Sequence, residues 1–319
     1  ISSSYIYNNS YPHVFSYSCT KIHCTRFNIR SSKRINDNMN KNQSILLTSI
    51  YTLLALFVAM IFFFPIWWSF SNSLRVPLDT FVVSGLGLPW LNFEPTLDNW
   101  RTHLSFPEAH LAIYNSSIIS LVSTGLALVI GLPAAYALAR FRFRFPPNKD
   151  LTIWFISQRV LPPAAAVVPF FVIWNALGIY DTKLGLIIVH TTFIMPFVIV
   201  IVRQTFLDLP VELEEAAMVD GATHIGAFLK VAVPLSVPAI AASSLIMFTF
   251  VWNDYFFAKI LTMKNLTLPL YSSVSVQNRG VEYWYIGTKT MLSMIVPLIL
   301  CLLAQRYIVR GLTLGAVKG

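Results

Sequence analysis

Six apolar windows, at 45–70, 111–139, 151–174, 184–206, 235–257 and 287–307, divide this sequence into long oily runs separated by polar connections. At 1.5 Å of rise per residue, about 20 such residues cross the roughly 30 Å hydrocarbon core of a bilayer as a helix. Within lipid every backbone group must find its partner in the chain itself, which leaves helices and closed barrels. Continuous apolar runs, rather than alternating segments of about ten residues, select helices. The composition agrees: 55% of residues are hydrophobic and 12% charged, with a mean hydropathy of +0.63, where a soluble domain carries about 25% charged residues. The sequence therefore predicts an all-α integral membrane protein with six transmembrane helices and excludes an ordinary soluble globule.

The formal net charge of +9 is placed by topology rather than by a nucleic-acid partner. Lys33, Arg34 and Lys41 precede the first window; Arg140, Arg142, Arg144 and Lys149 follow the second; Arg306, Arg310 and Lys318 follow or end the sixth. With six crossings all three groups share one side, which the positive-inside rule makes cytoplasmic, and both termini lie there. Arg75, Arg101, Lys183, Lys264, Arg279 and Lys289 fall on the opposite side, so the bias is partial. The aromatic and proline content of that side ("GLGLPWLNFEPTLDNW", "VEYWY") suits a membrane interface.

Residues 1–44 form a polar N-terminal segment and 45–319 the membrane domain. Residues 1–38 are rich in Ser, Asn and Tyr, and the uncharged beginning and missing apolar core are wrong for a signal peptide. Met39 leads directly into "NKNQSILLTSIYTLLALF", so the native protein is expected to start there, with 1–38 a translated upstream extension. Cys19, His23 and Cys24 lie in that segment without a common zinc spacing, and no metal site is expected. Cys301, inside the sixth window, is expected to pack as a small apolar side chain.

Between the fourth and fifth windows stands "LPVELEEAAMVDGATHIGAFLKVAVPLSVPAI" (209–240), with Glu212, Glu214, Glu215 and Asp220 concentrated in an otherwise oily chain. Pro210 suits a first helical turn, and the glutamates that follow sit where the helix dipole favours negative charge. Gly221 suits a left-handed C-terminal cap, and Thr223 can cap a second helix through "HIGAFLKVAV". The reading is a helix, a glycine turn and a second helix that present Ala216, Ala217 and Met218 beside a carboxylate. Small side chains admit a close protein surface, and Glu215 can receive an arginine. These signals alone fit a docking element and a solvated loop equally well.

The spacing decides between them. Glu215, Ala216, Ala217, three residues, Gly221, nine residues, then Val231, Ala232, Val233, Pro234 resembles the EAA loop of ABC importer permeases. Val231 and Val233 replace the usual Ile and Leu and keep the apolar role. "LPPAAAVVPFFVIWNALGIYDT", "FVWNDYFFA" and the tail "LLAQRYIVRGLTLGAVKG" are similar to the MalG-like permeases of maltose-type sugar importers, over about 45–319. The tail departs from the family in carrying Gly315 followed by Ala316 where a Gly-Gly is common.

That resemblance implies a cytoplasmic coupling loop formed by Glu214, Glu215, Ala216, Ala217, Asp220, Gly221 and Pro234. It implies a second, different permease subunit, an ATPase dimer that carries ATP and Mg, an extracytoplasmic solute-binding protein and a sugar or polyol substrate, in a bacterial plasma membrane. The segments 71–110 and 262–286 would face outside, the second suited to the binding protein. The chain itself has no GxxxxGK[ST], HExxH or GxSxG pattern and is expected to bind no cofactor and catalyse no reaction.

Polar residues inside spans are functional candidates. Arg159, with Gln158, precedes "VLPP"; Trp252, Asn253, Asp254 and Tyr255 end the fifth window with the aromatic and amide groups a sugar needs. The family implies that the partner permease makes most sugar contacts. His190, Thr191 and Thr192 equally suit hydrogen bonds between helices. A secondary transporter of a small polar solute is the alternative, and a membrane transferase a second; the one needs ion-coupling charges or an internal repeat, the other a further carboxylate or histidine cluster, and neither is evident.

Overall fold

A computed structural model describes residues 47–83, 87–273, 276–277 and 280–316, with the side chains of 159, 276–277, 280–281, 304 and 306–316 outside the description. Cys19, His23, Cys24, the start at Met39, the basic groups at Lys33, Arg34, Lys41 and Lys318, and the side chains of Arg306, Arg310 and Ala316 therefore lie outside the described residues. The chain forms two units, 1–66 and 67–319. The described part of the first, 47–66, belongs to the apolar helix α1, Leu47–Ser73.

The second unit is built on α4 (Pro107–Arg140), α7 (Lys183–Asp208), α11 (Val237–Trp252) and α14 (Tyr283–Ala316). Shorter helices join them: α2 (Pro77–Val82), α3 (Asp98–Ser105), α5 (Asn148–Ser157), α6 (Pro163–Leu177), α8 (Glu212–Val219), α9 (His224–Ala227), α10 (Val233–Leu235), α12 (Phe256–Leu261) and α13 (Leu268–Ser273). A two-residue ribbon pairs β1 (Val276–Gln277) with β2 (Gly280–Val281).

The core lies between α4 and α7, which run parallel. Ala127, Gly131 and Ala135 repeat every four residues, so they form one small-residue stripe on α4. Against it sit Val198, Ile199 and Val202, all fully buried; a Cβ at Gly131 would stand only 2.9 Å from Val198 Cγ1. With no hydrophobic drive between helices in lipid, this close backbone approach holds the pair through van der Waals contact. Higher up, Ser123 Oγ donates to the Ile187 carbonyl at 3.3 Å, and Thr191 Oγ1 donates to the same carbonyl at 2.7 Å.

Among the described residues four helices are long and apolar enough to cross a bilayer: Leu47–Ser73, Pro107–Arg140, Lys183–Asp208 and Tyr283–Leu303. The pair His224–Leu235 and Val237–Trp252, bent by 76°, makes a fifth if counted as one. The third window, 151–174, is not one helix as expected. It holds α5, a single 3₁₀ turn at Gln158–Val160, and α6, because Leu161 and Pro162 are extended. A proline pushes the residue before it out of the helical region, and two in succession separate the segments. The fifth window is interrupted as well: it bends at Ser236 and stops at Asn253 before α12. Cys301 also differs from expectation, being exposed rather than packed.

Candidate functional site

The acidic segment folds much as its caps require. Helix α8 carries Glu212, Glu214 and Glu215 in its first turn, with Val211 as N-cap, so Pro210 stands one residue before the cap rather than in the first turn. At its end Gly221 takes φ +92°. Gly221 N–H donates to the Met218 carbonyl at 3.0 Å and Ala222 N–H to the Ala217 carbonyl at 2.9 Å, the paired bonds of a Schellman cap. Thr223 Oγ1 then accepts from Gly226 N–H at 3.1 Å and starts α9. The helix continues through a π-turn at Phe228–Ala232 and α10, carrying Pro234 to the bend at Ser236.

Adjacent residues on a helix point about 100° apart, and the neighbouring glutamates divide accordingly. Glu214 turns inward and is 4% exposed. Its Oε1 accepts from Arg140 Nε at 2.9 Å and Nη2 at 2.7 Å, and its Oε2 accepts from the Tyr136 hydroxyl at 2.6 Å. Arg140 Nη2 also donates to the Leu209 carbonyl at 3.1 Å. Beneath this group the rings of Tyr136, Phe206 and Phe228 lie within 4.8–6.2 Å of each other. The carboxylate, the guanidinium and the phenol satisfy one another, as buried polar groups must.

Glu215 and Ala216 face outward, with Asp220, Gly221 and Pro234 also exposed and Ala217 half-buried. Val219 (87% exposed), Ile225 (71%) and Leu229 (57%) add apolar area to the same helix pair. Exposed aliphatic side chains around a carboxylate, on two short helices held rigidly from below, form a surface suited to another protein. Of the coupling-loop residues expected from sequence, Glu214 alone sits inside, where it anchors the helix. Tyr136 and Arg140 were missed as its partners; their spacing of four at the end of a span placed them on one face, but nothing in the sequence chose which glutamate they would meet.

The residues expected along a solute path occupy several environments. Trp252 is 1% exposed, stacks on Phe248 and donates Nε1–H to the Ser293 carbonyl at 2.8 Å, so its ring serves the core. Asp254 Oδ2 accepts from the N–H groups of Phe257 at 3.1 Å and Ala258 at 3.4 Å, which holds the first turn of α12, and lies 3.7 Å from His190 Nε2. Asn253 is exposed, with Nδ2 donating to the Thr249 carbonyl at 3.0 Å, and Tyr255 is half-exposed beneath Lys259 Nζ. The side chain of Arg159 lies outside the described residues. Thr192 Oγ1 donates back to the Ile188 carbonyl of its own helix.

A cleft of about 840 Å³ opens between α4, α11 and α14, lined by Leu121, Leu128, Leu245, Phe248 and Leu303 among others, with Thr124, Ser244 and Gln305 as its polar members. So apolar a lining offers few hydrogen-bond partners to a polar solute.

At the end of the bundle opposite α8, Asp181 Oδ1 accepts from the N–H groups of Met263 at 2.8 Å and Lys264 at 2.9 Å, clasping the α6–α7 turn to the segment after α12. Burial pushes the Asp181 carboxyl up, but these N–H groups and that of Asn265 outweigh it and hold it below the usual range. His103 Nδ1 lies 3.1 Å from the Tyr271 hydroxyl. Burial, aided by Lys289, lowers His103 to about 4, so the ring is neutral near pH 7. Among the described residues no group of three His, Cys, Asp or Glu side chains is placed to hold a metal.

The comparisons with known proteins agree with this architecture. Residues 127–313 match the family described as "Binding-protein-dependent transport system inner membrane component". The chain is 37% identical over 262 residues to the trehalose transport system permease protein SugB of Mycobacterium tuberculosis, covering 80% of this chain and 92% of that one. It is 31% identical to the sulfoquinovosyl glycerol transport system permease protein SmoH of Agrobacterium fabrum, covering 80% and 89%. Among solved structures, a chain of a bacterial ABC transporter involved in the import of the acidic polysaccharide alginate superposes with a TM-score of 0.70 at 22% identity, covering 82% of this chain and 96% of that one. At that identity the likeness concerns the fold.

Proposed function

The chain belongs to the family of binding-protein-dependent transport system inner membrane components, and on that premise we propose that it is a permease subunit of an ATP-driven importer of a sugar or polyol. The observation that carries the reading is the exposed pair α8–α9, with Glu215 and Val219 on a surface braced from within. In this reading an ATPase dimer, which holds ATP and Mg, docks there through Glu215, Ala216, Ala217, Asp220 and Gly221. That end of the bundle and both termini are cytoplasmic, and the chain crosses the bilayer six times.

A second permease subunit completes the path beside the apolar cleft, with Asn253 and Tyr255 as this chain's candidates for sugar contact. The outer segments around Asp181 and 262–286 receive the solute-binding protein. The carbohydrate class is supported by relatives named for trehalose and sulfoquinovosyl glycerol transport. Nucleotide binding biases the transporter because the docked ATPase contacts the inward and outward states differently.

Uptake of a panel of labelled disaccharides and polyols, beginning with trehalose, tests the reading in cells carrying wild type, Glu215→Lys or Gly221→Pro. The proposal expects uptake of one panel member, lost in both variants while the protein stays in the membrane. Normal uptake in both variants would sink the docking assignment; no uptake of any member by wild type would sink the carbohydrate assignment.

A further inference from the structure

The brace beneath α8 does more than satisfy a buried carboxylate. Along the chain, α4 and α8 are connected only through residues 141–211, which include α5, α6 and the whole of α7. In space the last turns of α4 reach α8 directly: Arg140 and Tyr136 both hold Glu214, and Arg140 also holds the Leu209 carbonyl in the link that leaves α7. The side chains of Arg140 and Glu214 are 10% and 5% exposed. A buried ion pair resists separation because either member left alone would be an uncompensated charge. Three donors on two oxygens also fix direction, which a single contact would not.

We propose that Tyr136, Arg140 and Glu214 are positioning residues that lock α8 to the end of α4, so that a displacement of the α8–α9 surface is delivered straight to α4. From there the tight seam of Gly131 against Val198 carries it to α7, and Leu121 and Leu128 carry it to the wall of the cleft. Glu215, one residue on, touches the partner; Glu214 connects that touch to the spans. This inference rests on the reading of α8–α9 as the ATPase-docking surface.

The test uses the whole complex, purified with its ATPase and placed in lipid nanodiscs, with Leu121→Cys in a cysteine-free background as reporter. Maleimide labelling of that cysteine is followed with and without ATP and vanadate. The complex with the brace intact is expected to change its labelling rate about fivefold or more on nucleotide trapping, in the range of ordinary allosteric coupling. Glu214→Gln and Arg140→Met are expected to abolish that change while the ATPase still co-purifies; each lowers thermal stability by leaving one member of the pair without its partner, and the double variant, which leaves neither charge alone, is expected to lose less stability than the two single changes added together and still to lack the response. Arg140→Lys, which keeps a cation against Glu214, restores part of the response. A Glu214→Gln complex that keeps both its ATPase and the full response overturns the proposal. Loss of the ATPase from Glu214→Gln also overturns it, because the brace would then serve docking rather than transmission. If the intact complex carries no ATPase, the docking reading itself has failed.

Discussion

Replacing Gly221 by Ala isolates the backbone of the coupling turn from every side-chain contact, because no atom lies within 4 Å of the position a Cβ would take. The change therefore acts through φ alone. Gly221 sits at +92°, and a left-handed conformation costs an L residue about 1–2 kcal/mol. If the ATPase binds only the turn as it stands, that difference lowers its affinity about 5- to 30-fold. Gly178 provides the control: it also has positive φ, +69°, and open space around it, but it ends α6 at the opposite end of the bundle. The two alanine variants carry similar conformational strain and differ in location. Titrating purified ATPase against the detergent-solubilised permease should show the loss for Gly221→Ala and wild-type affinity for Gly178→Ala. Equal losses in the two variants, or none in Gly221→Ala, would refute the argument that this turn's geometry is what the partner reads.

Three further substitutions probe the scaffold. Gly131→Ala gains about 1 kcal/mol of helix propensity but places a methyl 2.9 Å from Val198 Cγ1, whose β-branched side chain has little freedom to move. Overpacking of about 1–3 kcal/mol should prevail and lower the melting temperature in detergent, whereas Gly125→Ala, with open space around it, should raise it. Asp181→Ala should weaken the clasp to residues 263–265 by about 1 kcal/mol, the low end for a half-buried charged acceptor. Because the folded Asp181 pKa is depressed, the clasp is at full strength above the unfolded value of about 3.9 and is lost as pH falls through the folded one. The protection of the 263–265 amides, taken as exchange relative to the intrinsic rate at each pH, should therefore be flat from neutral pH down to mild acid and fall in strong acid for wild type only.

The windows at 111–139, 184–206 and 287–307 were readable because long apolar runs have one solution in lipid, and α4, α7 and α14 occupy them. The caps at Gly221 and Thr223 were readable for a local reason: each depends on backbone geometry within a few residues. The break at Leu161 and Pro162 was signalled by "VLPP", yet hydropathy alone runs across it, so 151–174 read as one helix. Which glutamate turns inward was not readable, since Glu214 and Glu215 are chemically identical neighbours and the choice depends on where the end of α4 lies. Trp252 and Asp254 looked suited to a sugar by residue type. Their places were decided by tertiary partners far along the chain, Ser293 for the indole and His190 beside the carboxylate.

The central claim is that α8 and α9 form the surface on which an ATPase acts. Affinity purification of the tagged chain from its host membrane in mild detergent, with mass spectrometry of the partners and an ATPase assay, tests it most directly. An ATPase and a second permease should accompany the wild type, with ATP hydrolysis, and Glu215→Lys should lose the ATPase while keeping the second permease. A chain that purifies alone at every detergent strength, or a Glu215→Lys variant that retains a fully active ATPase, would contradict it.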